Sequence, residues 1–366
     1  MPDMRKTLLF LLLSVSISAS AQSVNFTSCN LPIVVINTHG QTIPDDPKID
    51  ADMGIINNPN GARNNVTDPF NEYNGRIGIE VRGQSSQMFP MKSYSVELRD
   101  NNDDDMDEPL FGLPAQSDWV MYAPYTDKTL MRNFLAYTMS NSLGHWAAHC
   151  RYVEVILNEQ YVGIYVFMEK IKRDKGRVNI SKMKSSDNDG DAVTGGYIFS
   201  IDKQANVWYS TFPPPNSPGA SIQYSYVYPK PEDITAQQSA YIKSYVDGFE
   251  NSLTAANFQD TVNGFRKYAD ENSFIDYFIV NEISRNVDGY RLSSFFNKDR
   301  NSINPKIKAG PVWDYDLAFR NANYCDGSDT SGWAYRFDYV CGGDGYQIPF
   351  WWDRFMQDSL FKSDLY

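Results

Sequence analysis

Lys306-Ile-Lys-Ala-Gly-Pro-Val-Trp-Asp-Tyr-Asp316 runs from alternating residues through a Gly-Pro bend into two aspartates one residue apart. In an extended chain, side chains two apart share a face. Asp314 and Asp316 are therefore expected to point one way, and Trp313 and Tyr315 the other. Two carboxylates converging at a strand end have raised pKa values unless a cation neutralises them. Hard oxygen ligands of this kind select Mg²⁺ or Ca²⁺. Solvated turn aspartates are the plain alternative.

Working outward, Ile307 to Trp313 reads as a short strand and Leu292 to Phe296 as another. Two helices precede them. Residues 232–253 carry Tyr241, Ile242, Tyr245 and Phe249, and residues 272–285 carry Phe274, Tyr277, Phe278 and Ile283. Upstream, residues 204–230 read as a loop or irregular hairpin, and Gly195 to Asp202 as a strand. Val153, Val155 and Leu157 alternate, Asn158-Glu159-Gln160 turns the chain, and Tyr161, Gly163, Tyr165 and Phe167 alternate back, which is a hairpin. Asp127 is expected to cap a helix from Lys128 to about Leu143. Ile77 to Val81, Tyr94 to Leu98 and Leu31 to Ile36 read as further strands. This order of strands, helix, strands, helices and strands predicts an α+β protein.

Composition narrows the function. The 366 residues carry 45 acids against 33 basic side chains, a net charge of −12, so a broad nucleic-acid footprint is not expected. Three histidines make a multi-histidine metal site unpromising. Aromatics are abundant, with 24 Tyr and 7 Trp, which suits β structure and ring-binding surfaces alike. Asp100 to Glu108 holds six acids, but their spacing matches no calcium loop, and Asp187 to Asp191 is off the EF-hand pattern as well.

Residues 1–21 combine Arg5-Lys6, an apolar run from Leu8 to about Val15, and Ala19 and Ala21 at cleavage-site spacing. That pattern predicts a signal peptide cut near Ala21, hence a secreted, cell-surface or periplasmic protein. No later apolar stretch is long enough to cross a membrane. Four cysteines remain after cleavage, and an oxidising compartment favours disulfides. Three connectivities exist, of which Cys325–Cys341 is the easiest to form.

Two further constellations carry chemistry. In Asn281-Glu-Ile-Ser-Arg-Asn-Val-Asp-Gly-Tyr-Arg291, Asn286 and Asp288 follow a helix end and precede a glycine. A carboxylate on such a turn can accept a proton from a hydroxyl nucleophile, although Asn, Asp and Gly also simply end helices. The second constellation is basic. Arg82, Lys92 and Arg132 lie in or beside polar loops, with Lys170 and Lys308 near strand ends, and the Arg82-Gly-Gln-Ser85-Ser86 loop can cradle an anion. Neither nucleotide-binding glycine motif is present. From the residues alone, phosphoryl transfer, glycoside hydrolysis by paired acids and an adhesion module without chemistry all stand.

Five blocks in order resemble the CotH family, the spore-coat protein H-like kinases. They are Arg82-Gly-Gln-Ser-Ser86 with Pro90-Met-Lys-Ser-Tyr94, then Trp119-Val-Met-Tyr-Ala123 with Asp127 and Leu130-Met-Arg-Asn133. Val155-Ile-Leu-Asn158 follows with Tyr161-Val-Gly-Ile-Tyr165 and Glu169, then Asn286-Val-Asp-Gly-Tyr290, and finally Val312-Trp-Asp-Tyr-Asp316. The resemblance implies an atypical protein-kinase-like fold and transfer of the ATP γ-phosphate to protein hydroxyls outside the cytoplasm, using Mg or Mn. Asp288 is similar to the catalytic aspartate, Asp314 to the metal-binding one, and Asp316 supports it. Arg82, Ser85, Ser86, Lys92 and Arg132 are the implied phosphate contacts, and Glu169 is expected to orient one of those cations.

The chain departs from the pattern in three places. Ser293 stands five residues after Asp288, where ordinary protein kinases place a metal-holding Asn. Met91-Lys92 stands where relatives often carry two lysines, and the chain stops at Tyr366, where relatives continue into further helix. The expected organisation is a signal peptide (1–21), an N-terminal β-rich extension (22–74) and a CotH kinase-like domain (75–366) shortened at its end. A non-catalytic surface or adhesion protein on the same fold and a carbohydrate-active protein are the alternatives.

Overall fold

Short runs of β-branched and aromatic residues at period two build the first half of the molecule. The computed structural model describes residues 25–203 and 207–365, so the expected signal peptide lies outside the described residues. Strands β1 (Ser28–Cys29), β2 (Ile33–Asn37), β3 (Ile49–Ile56), β4 (Asn64–Asn65), β5 (Tyr73–Arg82), β6 (Ser93–Arg99) and β7 (Asp118–Tyr122) lead to helix α1 (Arg132–Ser142). The expected hairpin follows as β8 (Cys150–Leu157) and β9 (Gln160–Glu169). Seven of these strands close into a barrel in the order β2-β3-β5-β6-β7-β9-β8.

Closure depends on the parallel pairing of β2 with β8, from Ile33 opposite Glu154 to Ile36 opposite Leu157. A closed sheet leaves no unpaired edge. β3 also pairs with β5 over seven positions. Within the expected N-terminal extension, β2 and β3 are therefore barrel wall, hydrogen-bonded to β8 and β5, while β1 and β4 pair with each other as a separate two-stranded sheet. Alternate side chains fill the interior: Ile77 and Ile79, Val96 and Leu98, Trp119 and Met121, Val153 and Val155, Tyr165 and Phe167. The opposite faces of β7 and β9 send Val120, Val166 and Met168 into a second, larger core. The period-two alternation is what couples the two halves of the molecule.

That second core is built under an antiparallel sheet in the order β11-β12-β10-β13-β14. Its strands are β10 (Tyr197–Ile201), β11 (Val207–Tyr209), β12 (Gln223–Tyr228), β13 (Ser294–Lys298) and β14 (Ile307–Ala309). Helices α2 (Ala236–Thr254) and α3 (Glu271–Ser284) connect β12 to β13, and α4 (Phe337–Cys341), α5 (Trp351–Phe355) and α6 (Ser359–Asp364) complete the fold. Thr235 and Gln238 form a capping box that starts α2. The α5 residues Trp351 and Trp352 are both buried. Trp351 donates its indole N–H to Glu250 of α2 at 3.0 Å. The expected α+β class is what the structure shows, and no helix among the described residues is long and apolar enough to cross a membrane.

Two local expectations change, and one is made definite. The helix expected from Lys128 begins at Arg132. Asp127 instead accepts hydrogen bonds from the Thr129 and Arg132 amides (3.1 and 2.9 Å), so its carboxylate closes a turn ahead of the helix. Residues 204–230, expected as a loop or irregular hairpin, contain the β11–β12 hairpin. The strand expected over 307–313 ends at Ala309, because Pro311 has no N–H to continue the ladder. Cys325 and Cys341 form the disulfide, while Cys29 and Cys150 are buried thiols.

Candidate active site

The barrel and the second sheet face each other across a cleft of about 480 Å³ that gathers residues from widely separated parts of the chain. β5 delivers Arg82 to it. Gly83 then takes φ +100°, and a Cβ there would lie 2.0 Å from Ser86 Oγ, so only glycine allows the turn that follows. A 3-10 turn from Ser85 to Met88 carries Ser85 and Ser86 along the cleft wall.

The acid pair sits opposite. Asp314 adopts φ +64°, so the chain is not extended there. Asp314 and Asp316 nevertheless both reach the cleft, and so does Trp313. Side chains from two helices impose this conformation. The Asp314 amide donates to the Tyr137 hydroxyl (3.2 Å), the Tyr315 amide to Asn133 Oδ1 (2.6 Å), and the buried Tyr315 hydroxyl to Asn281 Oδ1 (2.9 Å). Thr126 Oγ1 donates to Asp316 Oδ2 at 3.0 Å.

Asp288 enters on the turn after α3. That helix ends at Ser284 with Arg285 in the left-handed conformation, as the Asn-Val-Asp-Gly sequence suggested. Ser293, with φ +46°, lines the cleft as well. Asp202 and Lys203, at the end of β10, complete the charged wall and were missed from sequence. The signal available was a carboxylate at a strand end, the same signal that singled out Asp314.

The electrostatics are unbalanced. Desolvation between the cleft walls pushes the Asp314 carboxyl well above the usual range, and Asp316, Asp288 and Asp202 push it further, opposed by Arg82. Asp316 is raised for the same first reason. Arg82 lies 5.5 Å from the centre of the Trp313 ring, and its Nη1 is buried without a hydrogen-bond partner among the described residues. Burial lowers its pKa, although a guanidinium stays charged at neutral pH. The Tyr122 hydroxyl is a second buried donor on the cleft wall without a hydrogen-bond partner among the described residues. Two orphaned donors facing a cluster of crowded carboxylates fit an anion arriving together with a cation.

Three expected contacts are turned elsewhere. The Arg132 guanidinium bonds Asp127 and donates from Nε to the Ala318 carbonyl (3.0 Å), so it ties α1 to the loop after Asp316 and does not line the cleft. The Lys92 ammonium donates to the Gln87 carbonyl and closes its own loop. Glu169 is fully buried, accepts from the His149 amide (2.9 Å) and faces Arg177 at 3.7 Å. Its cationic neighbour is therefore Arg177, itself held by the Lys170 and Asp118 carbonyls, and not Arg82, Lys92 or Arg132; Glu169 does not line the cleft.

Among the described residues, no three His, Cys, Asp or Glu side chains converge to hold a metal by themselves. Mg²⁺ commonly takes one or two carboxylates and completes its shell with phosphate oxygens and water, so the Asp314–Asp316 pair fits as a partial ligand set.

Fold and cleft together define an α+β protein in which crowded acids and one arginine share a single opening between two bodies. The profile of the family described as CotH kinase protein matches residues 79–366, and the chain belongs to that family. No curated protein matches the chain. The matched region begins inside β5, so β2 and β3 of the barrel precede it.

Proposed function

We propose that this chain is an exported, ATP-dependent protein kinase with an atypical protein-kinase-like fold, transferring the γ-phosphate to protein hydroxyls with Mg or Mn. The observation that carries the reading is Arg82: a buried guanidinium nitrogen without a hydrogen-bond partner among the described residues, in the same cleft as Asp288, Asp314 and Asp316. Family membership supports phosphotransfer, and the leader-like residues 1–21 support export.

The residues divide the work by their chemistry. Arg82, Ser85 and Ser86 contact phosphate oxygens, and Arg82 neutralises charge that would otherwise repel the acids. Asp314, supported by Asp316, holds the divalent ion, which when bound neutralises the phosphates. Asp288 accepts the proton of the acceptor hydroxyl as its oxygen bonds to the γ-phosphorus and the bond to ADP breaks. Ser293 offers no amide oxygen, so we assign a single metal to the site. Arg132 and Glu169 act as supports of α1 and the barrel, outside phosphate contact.

Calorimetry with ATP and Mn²⁺, and transfer of labelled phosphate to itself or a generic acceptor, test the proposal. Asp288→Asn should abolish transfer and keep ATP binding. Asp314→Ala should lose both, and Arg82→Gln should weaken ATP binding by about tenfold or more, the worth of a charged hydrogen bond. Absence of ATP binding by the wild type with either metal would sink the reading and leave a surface protein on this fold.

A further inference from the structure

Asp288 is held from one side. Its Oδ1 accepts from Arg291 Nη2 at 2.6 Å and from the Tyr324 hydroxyl at 3.0 Å, and Oδ2 accepts no hydrogen bond from the described residues. Arg291 is itself immobilised. It is 2% exposed, donates from Nε to the Val287 carbonyl (2.9 Å), and lies 3.9 Å from the centre of the Phe337 ring. Its Nη1 reaches the Asp344 carboxylate (3.3 Å) and the Tyr346 carbonyl (3.1 Å).

These partners share one origin. Tyr324 immediately precedes Cys325, Phe337 lies inside the disulfide loop, and Asp344 follows Cys341 by three residues. The Asp344 amide and the Gln347 side-chain amide both donate to the Cys341 carbonyl, at 2.9 and 3.0 Å. The Cys325–Cys341 bond therefore ties together the two flanks that supply Tyr324 on one side and the anchor of Arg291 on the other.

We propose that Tyr324 and Arg291 are positioning residues for Asp288, and that the Cys325–Cys341 disulfide is the brace that keeps them in place. The proposal rests on Asp288 receiving the proton of the acceptor. Two donors on Oδ1 fix rotation of the carboxylate and leave the Oδ2 lone pairs for the acceptor hydroxyl. A general base needs its acceptor atom within hydrogen-bond reach of the proton, and small misplacement costs orders of magnitude in rate. Reduction by dithiothreitol delivers two electrons and two protons, converts the bridge to two thiols and leaves the reagent as its cyclic disulfide. It should free both flanks without removing any group from the cleft.

Tyr324→Phe removes only the hydroxyl. It should lower kcat about tenfold, the worth of one hydrogen bond to a charged group, and leave KM for ATP within about twofold. Dithiothreitol, or Cys325→Ser with Cys341→Ser, should lower kcat of the wild type similarly and add little to Tyr324→Phe, because both remove the same restraint. A merely structural hydroxyl would change neither kcat nor this non-additivity.

A second readout needs no turnover. By linkage, Asp288→Ala and Tyr324→Phe should each shift the dithiol–disulfide equilibrium in glutathione buffer severalfold toward dithiol, measured by alkylation and mass spectrometry. An unchanged kcat in Tyr324→Phe, or an unchanged equilibrium in Asp288→Ala, overturns the proposal while an active wild type preserves the kinase reading. A wild type inactive toward ATP whose redox equilibrium still responds to Asp288→Ala overturns the catalytic role instead and leaves only the mechanical link.

Discussion

Lys298 is a buried cation and Arg82 a half-buried one, and their surroundings differ. The Lys298 ammonium donates to the Thr194 carbonyl (2.7 Å), the Asp299 carbonyl (3.0 Å) and Asn301 Oδ1 (2.8 Å), and lies 4.5 Å from the Tyr245 ring centre. Arg82, at the cleft wall, has a nitrogen without a hydrogen-bond partner among the described residues. Burial lowers the Lys298 pKa to about 8 from 10.5. Below about pH 8 the folded and unfolded chains are both protonated there, and the folded state carries the full penalty of the buried charge. Between about 8 and 10.5 the unfolded chain holds more protons, so this group's contribution to stability rises with pH. Denaturant titrations of wild type and Lys298→Met should show the difference moving in favour of the wild type across that window, by on the order of 3 kcal/mol. A difference flat from pH 7 to 10.5 would contradict the assignment. The sequence singled out Arg82 by its loop, but its partnerless state was invisible, because hydrogen-bond satisfaction depends on residues more than two hundred positions away.

At the scale of elements, local chemistry was the more legible the shorter its range. The β8–β9 hairpin follows from period-two alternation around a two-residue turn, and Asn158 and Glu159 both adopt positive φ (49° and 66°). Asn158 also accepts from the Thr38 amide (2.8 Å) and donates to its hydroxyl (2.9 Å), fastening the hairpin to the end of β2. Glutamate is a poor residue for the left-handed region, so Glu159→Gly should stabilise the protein by about 0.5–1 kcal/mol in chemical denaturation. Asn158→Ala should destabilise it by about 1–2 kcal/mol, since two hydrogen bonds are lost at a partly buried site. Element boundaries were less legible. Asp127 looked like a helix cap because its residue type and place fit, yet its carboxylate serves Thr129, Arg132 and the turn between them. The acid strand was misread for the converse reason. Asp314 and Asp316 share the cleft through a left-handed residue held by Tyr137 and Asn133, a geometry that alternation does not anticipate.

For the whole molecule, the barrel is the decisive unit. Its strands come from residues 33–56 and 73–169, and β2 closes it against β8 more than a hundred residues away. The interior has no room for an absent strand, because side chains from all seven pack it. A chain beginning at residue 58 retains the whole of the family match, yet removes β2 and β3 and exposes the edges of β5 and β8. Such a chain should lose its cooperative thermal transition, bind a hydrophobic dye and aggregate, whereas the full chain melts in one transition or two. A soluble, cooperatively melting truncation would mean that the barrel is dispensable to the cleft.

The amino-acid sequence by itself determined the α+β class and most strands and helices, favoured the Cys325–Cys341 pairing among three, and singled out Asp288, Asp314 and Asp316, because each rests on periodicity, spacing or residue type within a short window. Only the tertiary structure decided that residues 33–56 belong to the barrel wall and that Glu169 pairs with Arg177 rather than with a cleft cation. It also decided that Arg132 supports a loop and that Asp202 and Lys203 join the cleft. Those outcomes depend on which surfaces the closed barrel and the second sheet present to each other. That is a property of long-range packing, which no local pattern encodes.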